Sequence, residues 1–572
     1  MDVAGKYKDW SSRVLDDPEL AAELAAIREN EKEIYERFYA DLVFGTAGLR
    51  GILGAGTNRM NIYTVRRATQ GLVAHIQKQK LAGGVAIAYD SRIKSRLFAE
   101  TAAEVLAGNG ISVWLSDDLM ATPMLSWAVR YYKCAGGIVV TASHNPAEYN
   151  GFKVYGPDGC QMTSEAADAV YAAMLKTDIF KEDGRMPFAE AVSRGIVRTI
   201  ECEANDAYYA KVLACRACGM SLADLTVAYT PLNGSGMKPV EHVFKLAGLK
   251  RFAVVKEQAM PDGNFPTCRY PNPEAPEAMQ LGLELAKQVD ADILIGTDPD
   301  GDRIGVAAKK KGEFALLSGN EVGILLIDYI GFKRSEEGTL PENPVMIKSI
   351  VSSPMADLAA AQYGIDTIDV LTGFKHVGDK IGKLEREGQL DRFVFAYEES
   401  CGYLPGAYVR DKDGIAASLL VAQMAAWHKT RGQTLHDVLD DLFERVGWHH
   451  DRVESFAFAG ANGMKSMKRI MDRLFEKQPG EIAGIRVLEV RDYRALRSVR
   501  GSEVSAIDSP PSDVLIFLLE KNQRLIIRPS GTEPKLKIYS LASAANMEEA
   551  QKKTLALAQS AAKLLGVSNA SK

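Results

Sequence analysis

Cysteine is scarce in this 572-residue chain: seven residues, odd in number and scattered from Cys134 to Cys401. That excludes a disulfide framework and suits a reducing compartment. Cys215 and Cys218 form a CxxC, but they lie in the helical stretch AYYAKVLACRACGM with no preceding strand and no second metal-binding pair, which argues against zinc or redox chemistry. No apolar run approaches the roughly 18 to 20 residues that span a bilayer. The opening MDVAGKYKDWSSRVLDD carries charge where a secretory signal needs an apolar core, so a cytoplasmic protein with no membrane partner is expected. Charge of one sign is also missing. With 69 basic and 74 acidic residues the net charge is -5, which offers no basic surface to nucleic acid. There is neither a Walker A sequence nor a dinucleotide fingerprint. The glycine-rich FGTAGLRG, with Gly45, Thr46, Gly48 and Arg50, fits neither, so no nucleotide site is indicated.

The length predicts several domains and clefts between them. Hydrophobic content of 47% with 25% charged residues is ordinary for a globular protein. The stretch PELAAELAAIRENEKEIYERFYADL has apolar positions at helical spacing and predicts one leading helix packed as an appendage. A β-α-β-α-β pattern then recurs three times. GVAIAYD to AGGIVVTASH ends at Ser143, LTVAYT to DILIGTDPDGDRIGVA ends in a triple-aspartate loop, and PVMIKSIVSS to RFVFAYEESCGYL ends in paired glutamates. Open α/β sheets present ligand sites at strand carboxyl ends. A different segment begins near residue 449, where DVLIFLLE, RLIIRPSG and KLKIYSLA precede a terminal helix and predict a smaller α+β domain. The expected boundaries are a helical extension over 1–40 and domains over 41–204, 205–318, 319–447 and 448–572.

Each polar loop suggests a chemistry. In TASHNP a hydroxyl nucleophile, Ser143, follows a strand beside His144, with Lys153 ten positions on; this suits receiving and donating a phosphoryl group. In GTDPDGDR three carboxylates, Asp298, Asp300 and Asp302, converge on one Mg2+ if the backbone curls, which Pro299 and Gly301 assist. An EF-hand would place Gly at its sixth position and Glu at its twelfth, where this chain has Arg303 and Lys309. Glu398, Glu399 and Ser400 offer acceptors for sugar hydroxyls, and Lys412, between two aspartates, can hold a phosphate or shuttle a proton. Arg528, Ser530, Gly531, Thr532 and Lys535 cluster as a cradle for a phosphate that is not transferred.

The set TASHNP, GTDPDGDR, EES followed by Gly402, and RPSGTEPK, in that order from Phe44 to about Tyr539, resembles the α-D-phosphohexomutase superfamily. FGTAGLRG and TGFKHVGDK look most like its phosphoglucomutase branch, which includes phosphopentomutases and bisphosphate-forming relatives. The resemblance implies three similar α/β domains with mixed sheets and a C-terminal α+β domain around a central cleft. It implies that Ser143 carries the phosphoryl group and joins Asp298, Asp300 and Asp302 on Mg2+, with Arg303 beside the metal. Glu398 and Ser400 match the sugar-binding pair, while Arg528, Ser530, Gly531 and Thr532 match the phosphate loop. Arg50, His144, Lys153 and Lys412 match cleft positions given proton transfer or phosphate contact. Many members carry a histidine after the Thr-Gly of the third-domain loop. This chain has Thr372, Gly373, Phe374 and Lys375, which makes Lys375 a candidate for selectivity and weakens a phosphomannomutase assignment.

The expected reaction exchanges glucose 1-phosphate and glucose 6-phosphate through glucose 1,6-bisphosphate, with a phosphosugar as partner. Pentose or mannose phosphates are the alternatives on the same scaffold; a metal phosphatase and a non-catalytic sugar-phosphate sensor are alternatives of another class. Because water would hydrolyse an exposed phosphoserine, the domains are expected to close over the sugar before transfer. The sequence does not indicate an oligomeric state.

Overall fold

The computed structural model describes residues 2–45, 48–181, 184–458, 463–529 and 535–567. The chain divides into two compact units, Met1–Ile347 with Gly373–His436, and Lys348–Thr372 with Asp437–Lys572.

The first unit opens with helices Val3–Ser12, Pro18–Ala26 and Glu31–Phe38, where the sequence predicts a single helix. Asn30 makes the break: its side chain accepts the Glu33 backbone N–H and starts a new helix, a role asparagine favours over a helix interior. Nor are these helices an appendage. Trp10, Leu20, Leu24, Phe38 and Leu42 are buried in the same core as Val85, Ile87 and Val140. The Trp10 ring packs edge-on against Phe38, Tyr63 and Phe180, with centroids 5.0–5.9 Å apart.

The first sheet comprises β1 (Gly48–Ile52), β2 (Val85–Tyr89), β3 (Val113–Leu115), β4 (Gly136–Val140), β5 (Tyr149–Tyr155) and β6 (Val197–Thr199), in the order β1-β5-β4-β2-β3-β6. It is mixed: β4, β2, β3 and β6 are parallel, and β5 runs antiparallel to β4 and β1. β2 and β4 are buried at every position, which is why GVAIAYD and GGIVV read as unbroken apolar runs. Antiparallel β5 turns the chain back after the Ser143 loop and brings Lys153 opposite Val139.

The second sheet comprises β7 (Thr226–Thr230), β8 (Arg251–Val254), β9 (Ile293–Thr297), β10 (Ile304–Lys310) and β11 (Glu313–Leu317), ordered β11-β10-β9-β7-β8 and likewise mixed. The third pattern supplies Phe393–Glu398 and Gly402–Leu404, antiparallel with Tyr397 opposite Tyr403, and the buried helix Gly414–Lys429.

In the second unit, strands Trp448–Ala457, Lys535–Ala544, Gln523–Pro529, Leu515–Leu519 and Ile485–Asp492 lie side by side in that order, all antiparallel. Alternation divides their side chains between two cores. Leu515, Phe517, Leu525 and Ile527 face the helices Gly463–Glu476 and Met547–Leu565 through Met467, Met471, Leu557 and Leu565. Ile516, Ile526, Tyr539 and Leu541 pack instead with Ile350, Val351 and Leu371. Both faces are covered, so DVLIFLLE is a continuous apolar run.

Candidate active site

Ser143 lies three residues beyond the buried end of β4, is 3% exposed and has a left-handed φ of 51°. Such backbone costs on the order of 1–3 kcal/mol for a residue with a Cβ and persists where surroundings enforce it. The serine N–H donates to Thr141 Oγ1 at 2.7 Å. Its hydroxyl donates to Asp298 Oδ2 at 2.7 Å, 155 residues away in sequence. His144 Nδ1 lies 3.1 Å from the same Oγ. With the serine's one hydroxyl proton given to Asp298, the imidazole donates from Nδ1 and keeps Nε2 as its base. Burial, reinforced by Arg303 and Arg50, pushes His144 well below its ordinary 6.5 and keeps it neutral at pH 7. Arg50 reaches the loop from β1 through a 3.2 Å bond to Asn145 Oδ1.

The three aspartates occupy the turn of a hairpin in which Thr297 pairs with Ile304. Asp298 curls that turn by accepting the N–H groups of Asp302 and Arg303 on Oδ1 at 3.1 and 3.0 Å, and Gly301 takes a φ of 66°. All three are buried, and one oxygen from each lies within 4.8 Å of the others. Thr122, the first residue of helix Thr122–Tyr131, holds Asp300, donating its N–H to the carbonyl at 2.8 Å and its hydroxyl to Oδ2 at 2.9 Å.

Two lysines approach this cluster. Lys153 reaches Asp300 Oδ2 at 2.7 Å and Asp302 Oδ2 at 3.6 Å; Lys412 reaches Asp302 Oδ2 at 3.2 Å and Asp411 Oδ1 at 3.0 Å. Burial opposes charge on both, but the carboxylates outweigh it and hold both lysines above their ordinary value. Burial and the neighbouring carboxylates push Asp298 and Asp302 up, whereas Lys153 overcomes burial at Asp300 and holds it low. Asp300 Oδ1 and Asp302 Oδ1 are buried without a hydrogen-bond partner. Hard, converging, under-satisfied oxygens of this kind fit a divalent cation such as Mg2+.

Among the other expected positions, Arg303 is paired with Glu274 at 3.5 Å and lies 3.8 Å from Asp302. Glu398 ends a buried strand, accepts the Gly373 N–H, and is pushed up by burial against the pull of Lys412. Ser400 follows it in the turn before Gly402, which bridges to Arg303. Lys375 donates to Ser164 Oγ at 2.8 Å, and burial lowers it. Thr372, Arg528 and Lys535 belong to the second compact unit, and Ser530, Gly531 and Thr532 lie outside the described residues. The seven cysteines are all free; Cys215 follows the helix Cys202–Ala214, where the sequence reading places it within a helix.

Sequence reading missed the residues that hold these groups in place. Asp411 accepts from Tyr155, Gln161 and Lys412 and so ties the Lys412 loop to β5, the strand that bears Lys153. Asp90 and Arg92, just past β2, brace the serine loop. Their signal was a polar Asp-Ser-Arg at a strand's carboxyl end.

An α/β scaffold that seats a serine hydroxyl on such a carboxylate trio defines an enzyme of the phosphotransferase type. Models of the phosphoglucomutase/phosphomannomutase family match four consecutive segments: alpha/beta/alpha domain I over residues 41–180, domain II over 206–312, domain III over 318–446 and the C-terminal domain over 482–557. The chain belongs to that family. A phosphoglucomutase of Staphylococcus haemolyticus is 35% identical over 90% of this chain and 92% of its own length. One from Staphylococcus aureus strain USA300 is 34% identical over 93% and 95%. Among solved structures, a phosphoglucomutase/phosphomannomutase family protein from Burkholderia thailandensis superposes with a TM-score of 0.67 at 18% identity, covering 91% of this chain and 97% of its own. The open form of a Paramecium parafusin superposes at 0.64 with 18% identity, covering 92% and 96%; at these identities the likeness concerns the fold.

Proposed function

We propose that this chain is a phosphoglucomutase, interconverting glucose 1-phosphate and glucose 6-phosphate through a phosphoserine at Ser143 and a glucose 1,6-bisphosphate intermediate. The observation that carries the reading is the Ser143 hydroxyl bonded to Asp298 within the buried aspartate trio. The names of the curated relatives, at 34–35% identity over most of both chains, support the sugar.

In this reading the free hydroxyl of a hexose monophosphate attacks the phosphorus on Ser143. A new P–O bond forms to the sugar as the Ser143 Oγ–P bond breaks, and the hydroxyl proton passes to the neutral imidazole of His144. The bisphosphate turns round, Ser143 Oγ forms a bond to its other phosphorus as that phosphorus parts from the sugar oxygen, and His144 returns its proton to the oxygen released. Asp298, Asp300 and Asp302, with the serine-borne oxygen, would hold Mg2+, which supplies positive charge against the transferring phosphoryl oxygens. Lys153, Lys412, Arg303 and Arg50 add cations to the same end of the site. Glu398 and Ser400 hold sugar hydroxyls in both orientations, and Gly373, Thr372 and Lys375 tune which sugar is accepted. Arg528, Ser530, Gly531, Thr532 and Lys535 keep the phosphate that is not moving. The same reading keeps boundaries at 41–204, 205–318, 319–447 and 448–572, and places the enzyme in the cytoplasm, consistent with seven free cysteines.

The test is a coupled assay with glucose 1-phosphate, Mg2+ and a trace of glucose 1,6-bisphosphate, beside ribose 1-phosphate and mannose 1-phosphate. Glucose 1-phosphate is expected to turn over fastest, and Ser143→Ala to abolish turnover. Faster turnover of a pentose or mannose phosphate reassigns the substrate. Stoichiometric release of inorganic phosphate, or full activity in Ser143→Ala, overturns the mechanism.

A further inference from the structure

We propose that Arg92, with Asp90 as its counter-ion, is a positioning residue that sets the Ser143 hydroxyl for phosphoryl transfer. The inference rests on the reading of Ser143 as the phosphoryl carrier.

Arg92 follows β2 by three residues and is 3% exposed; Asp90 is 1% exposed. The guanidinium gathers four backbone carbonyls of one short loop. Its NH2 group donates to the carbonyls of Ser143 and Asn145, and its NH1 group donates to those of Pro146 at 2.8 Å and Tyr149 at 3.0 Å. Asp90 Oδ2 lies 3.4 Å from Arg92 Nε and accepts the Thr141 hydroxyl at 2.6 Å. Asp90 Oδ1 accepts the Ser95 hydroxyl at 3.0 Å and the Arg92 N–H at 3.1 Å. Since Thr141 Oγ1 in turn accepts the Ser143 N–H, one ion pair grips both ends of the serine's backbone. The N–H is held through Thr141 and Asp90, and the C=O directly by Arg92. Phe265 covers the guanidinium, 4.9 Å from its ring centroid, and keeps water off it.

The grip falls on the residue in left-handed backbone, whose side chain must meet Asp298. A planar fork of five donors can span four carbonyls, whereas the three donors of a lysine radiate from one nitrogen and cannot. Loosening the loop lets the serine oxygen drift from the aspartates. A displacement of about 1 Å at a reacting atom lowers rate by roughly 100-fold. Neither residue touches the substrate in this scheme, so they act through Ser143.

The test compares full-length wild type, Arg92→Lys and Asp90→Asn with Mg2+ and glucose 1,6-bisphosphate. Three readouts are needed: kcat and KM for glucose 1-phosphate, phosphate label taken onto the protein from labelled glucose 1,6-bisphosphate, and hydrogen exchange of peptides over residues 141–149. In Arg92→Lys, kcat is expected to fall by about 10- to 100-fold. KM should stay within about twofold, because substrate binding groups are untouched. Exchange over 141–149 should quicken while the far-UV circular dichroism matches wild type. If Arg92→Lys does not fold, the isosteric Asp90→Asn is expected to show the same split between kcat and KM. Folded variants with wild-type kcat and wild-type exchange overturn the proposal, as does a lowered melting temperature with kcat unchanged. Exchange that quickens in a protein whose wild type takes no label supports the anchor and overturns the role given to Ser143, so the two failures are distinguishable.

Discussion

Three carboxylates sit at the aspartate loop against two ammonium groups, and the imbalance makes Lys412 consequential. It reaches both Asp302 and Asp411 while its side chain is only 7% exposed. Removing one member of a buried ion pair leaves its partners uncompensated and costs about 3–5 kcal/mol. Lys412→Gln is therefore expected to lower stability by about that amount in EDTA, and by clearly less with saturating Mg2+, since a bound cation takes over Asp302. Denaturant unfolding with and without Mg2+ measures it; equal losses in both conditions would exclude a metal at this loop. The aspartates were legible in the sequence because their spacing is local. Asp411 as a clamp was not, because Tyr155 stands 256 residues away and nothing in either segment announces the other.

Among elements, the amino-terminal helices show how far periodicity carries. Their apolar spacing was readable, but that spacing does not register the local cap at Asn30 that breaks the run, and the burial of Trp10 depends on what the helices meet. Asp41 fastens them: it pairs with Lys6 of the first helix at 3.0 Å and with Arg67 of helix Ile62–Gln79 at 2.8 Å. Burial would raise its carboxyl, but Arg67 and Lys6 outweigh burial and hold it below its ordinary 3.8. As pH falls, the unfolded chain thus takes this proton before the folded one. The pair's contribution is present above that ordinary value and is lost as pH falls through the lower folded value. Asp41→Asn should destabilise at pH 7 by roughly 1 kcal/mol or less, the range for a partly exposed pair. The difference from wild type should shrink in acid below the ordinary carboxylate value. A difference that persists undiminished there, in denaturant melts across pH, would refute the assignment.

At the scale of the molecule, the chain forms two compact units, each with its own buried clusters. Chains with independent cores depart from two-state unfolding. Calorimetry is expected to resolve two transitions, with Mg2+ raising only the one that belongs to the unit containing the aspartate trio. A single transition whose calorimetric and van't Hoff enthalpies agree would contradict this. The repeated pattern reads residues 319–447 as one domain, close to the 318–446 matched by domain III of the family, but it gives no sign of what Ile350, Val351 and Leu371 pack against. They pack with Ile516 and Tyr539, an affiliation set by side-chain fit across a long sequence separation.

The sequence by itself determined where each strand ends in a polar loop and which chemical groups those loops carry, because both depend on neighbours within a few residues. Helical and strand periodicity, the Asp-x-Asp-x-Asp spacing and the serine after β4 are local properties, and local sterics and hydrogen bonding specify them. Only the tertiary structure decided that Ser143 meets Asp298, that Lys153 and Lys412 share Asp302, and that Asp90 and Arg92 brace the serine. Those pairings join residues brought together by burying apolar faces, a force without direction along the chain, so no short segment encodes its distant partner.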